Sequence, residues 1–162
     1  MTHKDVIRNT MEMADGVVNA YLSDLTDAEL MERPGPGCNH IAWMLGHIIV
    51  SEHEMLAGTG FDMPALPEGF AEAYAPETTG SDNPAQFHTK EQYLAWAAQQ
   101  RAATLAALAS LPETDLDRAA PEPMREYCPT VGAMFNLIGL HQFMHAGQFV
   151  PVRRRLGKPV VI

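Results

Sequence analysis

Gly139-Leu140-His141-Gln142-Phe143-Met144-His145-Ala146-Gly147-Gln148 places two imidazoles one helical turn apart in a stretch that otherwise reads as core. At about 100° per residue, His141 and His145 differ by only about 40° around a helix axis and project from one face. Val131, Met134, Ile138, Phe149, Val152 and Leu156 share that sector, so both histidines stand where an amphipathic helix carries aliphatic side chains. A buried imidazole needs a partner for each ring nitrogen. A single buried histidine ordinarily finds one in a backbone carbonyl. Two at i and i+4 also have the spacing of a metal-ligand pair, since neutral imidazole is the commonest nitrogen ligand of zinc, nickel, copper and iron. The spacing leaves both readings open until a third ligand from another helix is found.

Working outward, four long helical patterns emerge and no strand. The last opens at Thr130, a good N-cap, and runs to about Leu156, with Gly157 and Pro159 beyond its end. The first covers about Lys4 to Ser23, its apolar residues recurring every three or four positions. Thr26-Asp27-Ala28-Glu29 has the form of a capping box and starts a short turn that Pro34-Gly35-Pro36-Gly37 stops. Asn39 is the expected N-cap of the second helix, whose stripe is Ile41, Met44, Leu45, Ile48, Ile49, Met55 and Leu56. Residues 58–88 form a long connection with a short helix near Phe70 to Tyr74, either a binding or lid segment or a plain crossover. Thr89-Lys90-Glu91-Gln92 caps an alanine-rich third helix that Pro112 closes. The chain, residues 1–162, therefore reads as one all-α domain, a four-helix bundle with its long connection between helices 2 and 3.

Charge narrows the function. With 20 acidic and 11 basic residues the net charge is −9, which argues against nucleic-acid binding. Arg153, Arg154 and Arg155 lie at the end of the last helix and read as structural. Cys38 and Cys128 can form at most one bridge and neither lies in a C-x-x-C pair, so a reduced cytoplasmic protein is expected. No apolar run reaches the roughly 20 residues of a bilayer span, and the N-terminus lacks a signal-peptide core.

The third candidate ligand is His47, in the middle of the second helix. A helical wheel sets it more than about 90° from the aliphatic stripe, beside Trp43, Val50, Ser51 and Glu54. Trp43 and Val50 make that helix apolar almost all round, so His47 can still face the bundle interior. His40, two turns earlier, is expected to be half exposed, and His3, His53 and His88 to lie on the surface.

A Gly-His pair preceded by Trp-Met-Leu, an H-x-x-x-H-x-G-Q signature and an R-R-x-L-G-x-P ending together resemble the DinB-like superfamily of metal-dependent proteins. The likeness covers nearly the whole chain, including helix order and the long connection. It implies a bundle in which His47, His141 and His145 bind a divalent metal. It also implies a homodimer. Members include thiol-dependent S-transferases and isomerases that use bacillithiol, mycothiol or glutathione, so the resemblance implies a small-molecule substrate and a low-molecular-weight thiol as possible cosubstrate. No nucleic-acid or membrane partner is expected.

Other metal chemistries fit less well. A zincin needs Glu where this chain has Gln142, and a di-iron carboxylate bundle needs Glu three residues before each histidine, where Ile138 and Gln142 stand. No ordered Ser-His-Asp set is visible. Three protein ligands leave an open coordination position, the pattern of a catalytic site. Gln148, one turn past His145, is the candidate to orient a ligand, and Glu54, two turns from His47, the candidate for proton transfer. The expectation is a metal-dependent enzyme using zinc, nickel or iron, by thiol transfer in the first reading. The alternative is a non-catalytic metal- or ligand-binding bundle.

Overall fold

The computed structural model describes residues 1–160; residues 161 and 162, part of the expected domain, lie outside the described residues. Its six α-helices are α1 (His3–Leu22), α2 (Asp27–Leu30), α3 (Ile41–Ala57), α4 (Phe70–Ala73), α5 (Lys90–Ser110) and α6 (Val131–Arg155). Short 3-10 turns punctuate the connections, and no strand occurs among the described residues. No described helix is long and apolar enough to cross a membrane.

The helices start where side chains satisfy their first amide groups. Thr2, Thr26 and Thr89 each form a full capping box, and Thr130 accepts from the amide of Ala133. The second long helix departs from expectation. His40 rather than Asn39 is its N-cap, with Nδ1 accepting from the amide of Trp43 at 3.0 Å. The opposite ring nitrogen meets the carbonyl of Ser81 at 3.1 Å, and the residue is fully buried instead of half exposed. With both nitrogens engaged, His40 has no lone pair left for a metal.

Two apolar clusters fill the bundle, one around Tyr21, Leu45, Phe70, Tyr93 and Phe149, the other around Met11, Leu56, Leu108, Met134 and Phe135. Between them, in every long helix, lies a buried or half-buried polar residue: Asp15, Glu52, Arg101 with Thr104, and Gln142. The order of the clusters along each helix fixes direction. α1 and α6 run from the second cluster to the first, whereas α3 and α5 run the opposite way, so the bundle has two parallel pairs.

A parallel pair explains the long connection. At about 1.5 Å per residue, the 17 residues of α3 span about 25 Å, and the chain must retrace that distance before α5 can start alongside. The segment is a crossover and it is pinned. Arg33 donates to the carbonyls of Cys38, Thr79 and Ser81 and pairs with Asp82 at 2.7 Å. Tyr74 bonds Tyr93 and His88, each at 2.6 Å, and His88 also packs against Phe70 and Trp96. His88 is thus half-buried rather than on the surface, as is His53, whose Nδ1 lies 3.3 Å from Gln100 Oε1. His3 is exposed as expected. At the far end Arg153, almost wholly buried, pairs with Asp24 at 2.5 Å, which bears out its structural reading. Cys38 and Cys128 are unpaired.

Gly46 is where α3 admits the crossover. A Cβ there would lie 2.2 Å from the Tyr74 ring, which is itself buried and held by hydrogen bonds. Gly46→Ala is therefore expected to destabilise the protein by about 1–3 kcal/mol through overpacking. Gly16 is the control: exposed in α1 with nothing near its Cβ position, it should accept alanine with a gain of up to about 1 kcal/mol. Urea unfolding of both variants checks the difference, and a neutral Gly46→Ala would show that Tyr74 does not fix the crossover.

Candidate metal centre

His47 projects from the middle of α3 and His141 and His145 from successive turns of α6, and the ligating atoms of all three lie within 4.8 Å of one another. The ring centroids of His47 stand 5.2 Å from those of both α6 histidines, which are 4.7 Å apart. The wheel offset of His47 is real but harmless. Trp43 and Val50 on its side of α3 are buried as well, so α3 is enclosed on that face too.

Burial keeps these rings neutral. The three imidazoles have pKa values below the ordinary histidine range, chiefly by loss of hydration. His141 is pushed down to about 4, first by burial and then by the neighbouring charges of His145 and His47. Gln148 opposes this effect weakly at His145 through its hydrogen bond.

That bond also selects a tautomer. Gln148 Oε1 lies 3.0 Å from His145 Nδ1 and can only accept, so Nδ1 carries the proton and Nε2 keeps its lone pair. The freed Nε2 faces His141 Nε2 at 3.1 Å. Two such nitrogens need either a proton or a cation between them. Three neutral imidazoles, one with its distal nitrogen already oriented, are a donor set suited to zinc, nickel or iron.

A support not singled out in the sequence is Trp43. Its indole stacks on the His47 ring at 4.9 Å with planes 10° apart, and its Nε1–H donates to Thr78 Oγ1 at 2.9 Å. Thr78 belongs to the crossover, so the long connection reaches the site through one aromatic side chain. The i, i+4 spacing of Trp43 and His47 was the available signal. Glu54 is placed differently. It is exposed and lines an open cleft with His53, Ala57, Phe61 and Met63, to which none of the three histidines contributes.

Comparisons with known proteins show the fold and the family. The fold matches a conserved protein of Enterococcus faecalis with a TM-score of 0.75 at 20% identity, covering 98% of this chain and 99% of that one. It also matches YfiT from Bacillus subtilis, described as a probable metal-dependent hydrolase with an unusual four-helix bundle topology. There the TM-score is 0.69 at 15% identity, with 96% and 89% of the two chains covered. No curated protein matches the sequence. Residues 11–149 match the DinB superfamily, and with the bundle and its histidine cluster in place the chain belongs to that family.

Proposed function

We propose that the chain is a metal-dependent enzyme acting on a small molecule, with His47, His141 and His145 as the protein ligands of one divalent ion. The supporting observation is the convergence of three neutral imidazoles with two Nε2 atoms 3.1 Å apart. Held by these three imidazoles, a divalent ion would supply Lewis acidity, the chemistry that lowers the pKa of water or a thiol toward neutral pH. The side chains do the rest. Gln148 holds the Nδ1 proton of His145 and so keeps Nε2 available, while Trp43 covers one face of His47 against solvent. Glu54 lies two turns along α3 from His47 and opens to solvent in a separate cleft, so its part in proton transfer would run through water and not through contact with the three histidines.

In the first reading the nucleophile is a low-molecular-weight thiol. Sulfur bonds to an electrophilic carbon, the leaving group departs with its bonding pair, and the thiol proton passes to solvent. The description of YfiT favours a second reading, in which water is the nucleophile and a bond of the substrate is hydrolysed. A bundle that binds metal without turnover is the non-catalytic alternative. The homodimer that the family resemblance implies and the cytoplasmic setting expected from the two unpaired cysteines belong to the same proposal. Leu140 and Met144, exposed one turn apart on α6 beside the histidines, support a contact between copies, which sedimentation equilibrium measures.

His141→Ala and His145→Ala are expected to abolish tight binding of one divalent ion per chain, and His53→Ala and His88→Ala to leave it intact, as read by elemental analysis of untagged protein. Unchanged metal content in His141→Ala/His145→Ala would sink the assignment. Gln148→Ala should weaken the affinity by about 10- to 100-fold, the usual cost of removing a group that orients a ligand.

Acid gives an independent check. Because the folded-state pKa of His141 lies below its unfolded value, the unfolded chain binds more protons between pH about 6.5 and about 4. Metal-free protein should therefore lose stability progressively as pH falls through that window. A melting temperature flat across it would mean that the rings are not held neutral.

The thiol reading is tested with cobalt in the site. Bacillithiol, mycothiol, glutathione and cysteine are each added, and one of them should produce a sulfur-to-metal charge-transfer band and accelerate its own conjugation to an electrophile. Cys38→Ser and Cys128→Ser should change neither result, since neither cysteine is among the clustered residues. A spectrum indifferent to all four thiols removes the transferase reading and leaves hydrolysis or binding alone.

A further inference from the structure

At the end of the crossover, just before α5, His88 closes a cycle of hydrogen bonds. Its backbone amide donates to Tyr93 Oη at 3.1 Å, Tyr93 Oη lies 2.6 Å from Tyr74 Oη, and Tyr74 Oη lies 2.6 Å from His88 Nδ1. Both tyrosines are buried, and burial raises their pKa values, so both phenols keep their protons.

Satisfaction of these groups gives the cycle a direction. Tyr93 Oη already accepts from the amide, and its one other hydrogen-bond neighbour among the described residues is Tyr74, so the Tyr93 hydroxyl donates to Tyr74. The Tyr74 proton is then left for His88 Nδ1, which must offer a lone pair. The cycle starts on the main chain of His88, returns to its side chain, and closes only around a neutral imidazole protonated at Nε2. In an imidazolium, Nδ1–H faces Tyr74 as a donor, Tyr74 must turn its own proton toward Tyr93, and the Tyr93 proton loses its acceptor. A buried hydroxyl stranded in this way is desolvated without compensation.

The surroundings leave the decision to His88. α4 and the residue after it present Phe70 and Tyr74 to the imidazole, and α5 presents Tyr93 and Trp96, of which only the tyrosines titrate. Asp27 of α2 is the charge that acts on Tyr93, and it accepts from the Lys90 amide at 2.7 Å. The Lys90 ammonium is turned away, to the carbonyls of Leu22 at 3.1 Å and Leu25 at 2.6 Å. Burial holds His88 below the ordinary histidine range, so the cycle is closed at neutral pH and its stabilisation is lost as pH falls through the folded-state value.

The cycle fastens the crossover. Tyr74 packs against Gly46 of α3, the residue before His47, and Thr78 of the same segment accepts from the Trp43 indole. We propose that His88, Tyr74 and Tyr93 form a proton-operated latch that holds the crossover against α3 and α5 while His88 is neutral and releases it when His88 is protonated. The latch rests on no metal assignment.

Amide hydrogen exchange in the full chain tests it, with peptides from residues 70–88 read against peptides from α1 so that the intrinsic effect of pH cancels. Between about pH 7.5 and about pH 5, protection of 70–88 should fall about tenfold relative to α1, the effect of one broken buried hydrogen bond. His88→Asn keeps an acceptor at the δ position and cannot take up a proton, so its crossover should stay protected in acid. Tyr74→Phe keeps the aromatic ring against Gly46 and removes the link, so its crossover should be about tenfold less protected than wild type already at about pH 7.5. His40, which also bonds the crossover through Ser81, is intact in all three proteins. Unchanged protection of 70–88 in wild type in acid, a fall in His88→Asn as large as in wild type, or wild-type protection in Tyr74→Phe at neutral pH would each overturn the latch.

Discussion

The constraint on which the bundle depends is the pairing of one buried cation with carboxylates from two other helices. Arg101 sits at the level where all four long helices turn polar, and its neighbours come from the other three: Asp15 from α1, Glu52 from α3 and Gln142 from α6. Thr104 donates to the remaining oxygen of Glu52 at 2.6 Å. Burial raises the Glu52 pKa, with Arg101 and Thr104 pulling against it. Such a group is weak evidence for net stability, since an apolar replacement of the whole layer can be as stable, whereas removing one member costs about 3–5 kcal/mol. What the layer supplies is register. A helix displaced by one turn would set a carboxylate or amide against one of the apolar clusters and leave Arg101 against carbon.

Register in turn places the histidines. Gln142, locked between Arg101 and Asp15, is the residue next to His141, so its two hydrogen bonds fix the rotation of α6 about its axis. With Gln142 turned toward α1 and α5, His141 and His145 face α3, where His47 meets them. Close packing of α6 on α1 assists: a Cβ at Gly139 would lie 3.0 Å from Thr10 Cγ2 and 3.2 Å from the amide nitrogen of Met11. The imidazole cluster is therefore assembled by contacts that contain no histidine.

Much of this was legible in the sequence because its determinants are local. Periodicity marks the four long helices, Thr89 and Thr130 mark the starts of the third and fourth, and the i, i+4 histidines mark two of the three clustered imidazoles. The cap of α3 was misread, because Asn39 is the stronger N-cap by propensity and nothing local tells that His40 will be enclosed by the crossover and bonded to Ser81. Asp15, Glu52 and Arg101 each look like members of a solvated helix face, and only the fold brings together charges that lie dozens of residues apart. The parallel pairing was also hidden, although the length of the 58–88 connection carried its trace: an antiparallel neighbour needs no such detour.

The pairing of α1 with α6 has a consequence for how the chain folds as it is made. Asp15 and Gln142 are separated by 127 residues, and Asp24 and Arg153 by 129. Contacts of that span cannot form until α6 has been synthesised, and closing so large a loop is a late event. During translation the apolar face of α1, with Ile7, Met11, Val18 and Leu22, has no permanent partner. The nascent chain must shield it with transient packing or chaperones until α6 emerges.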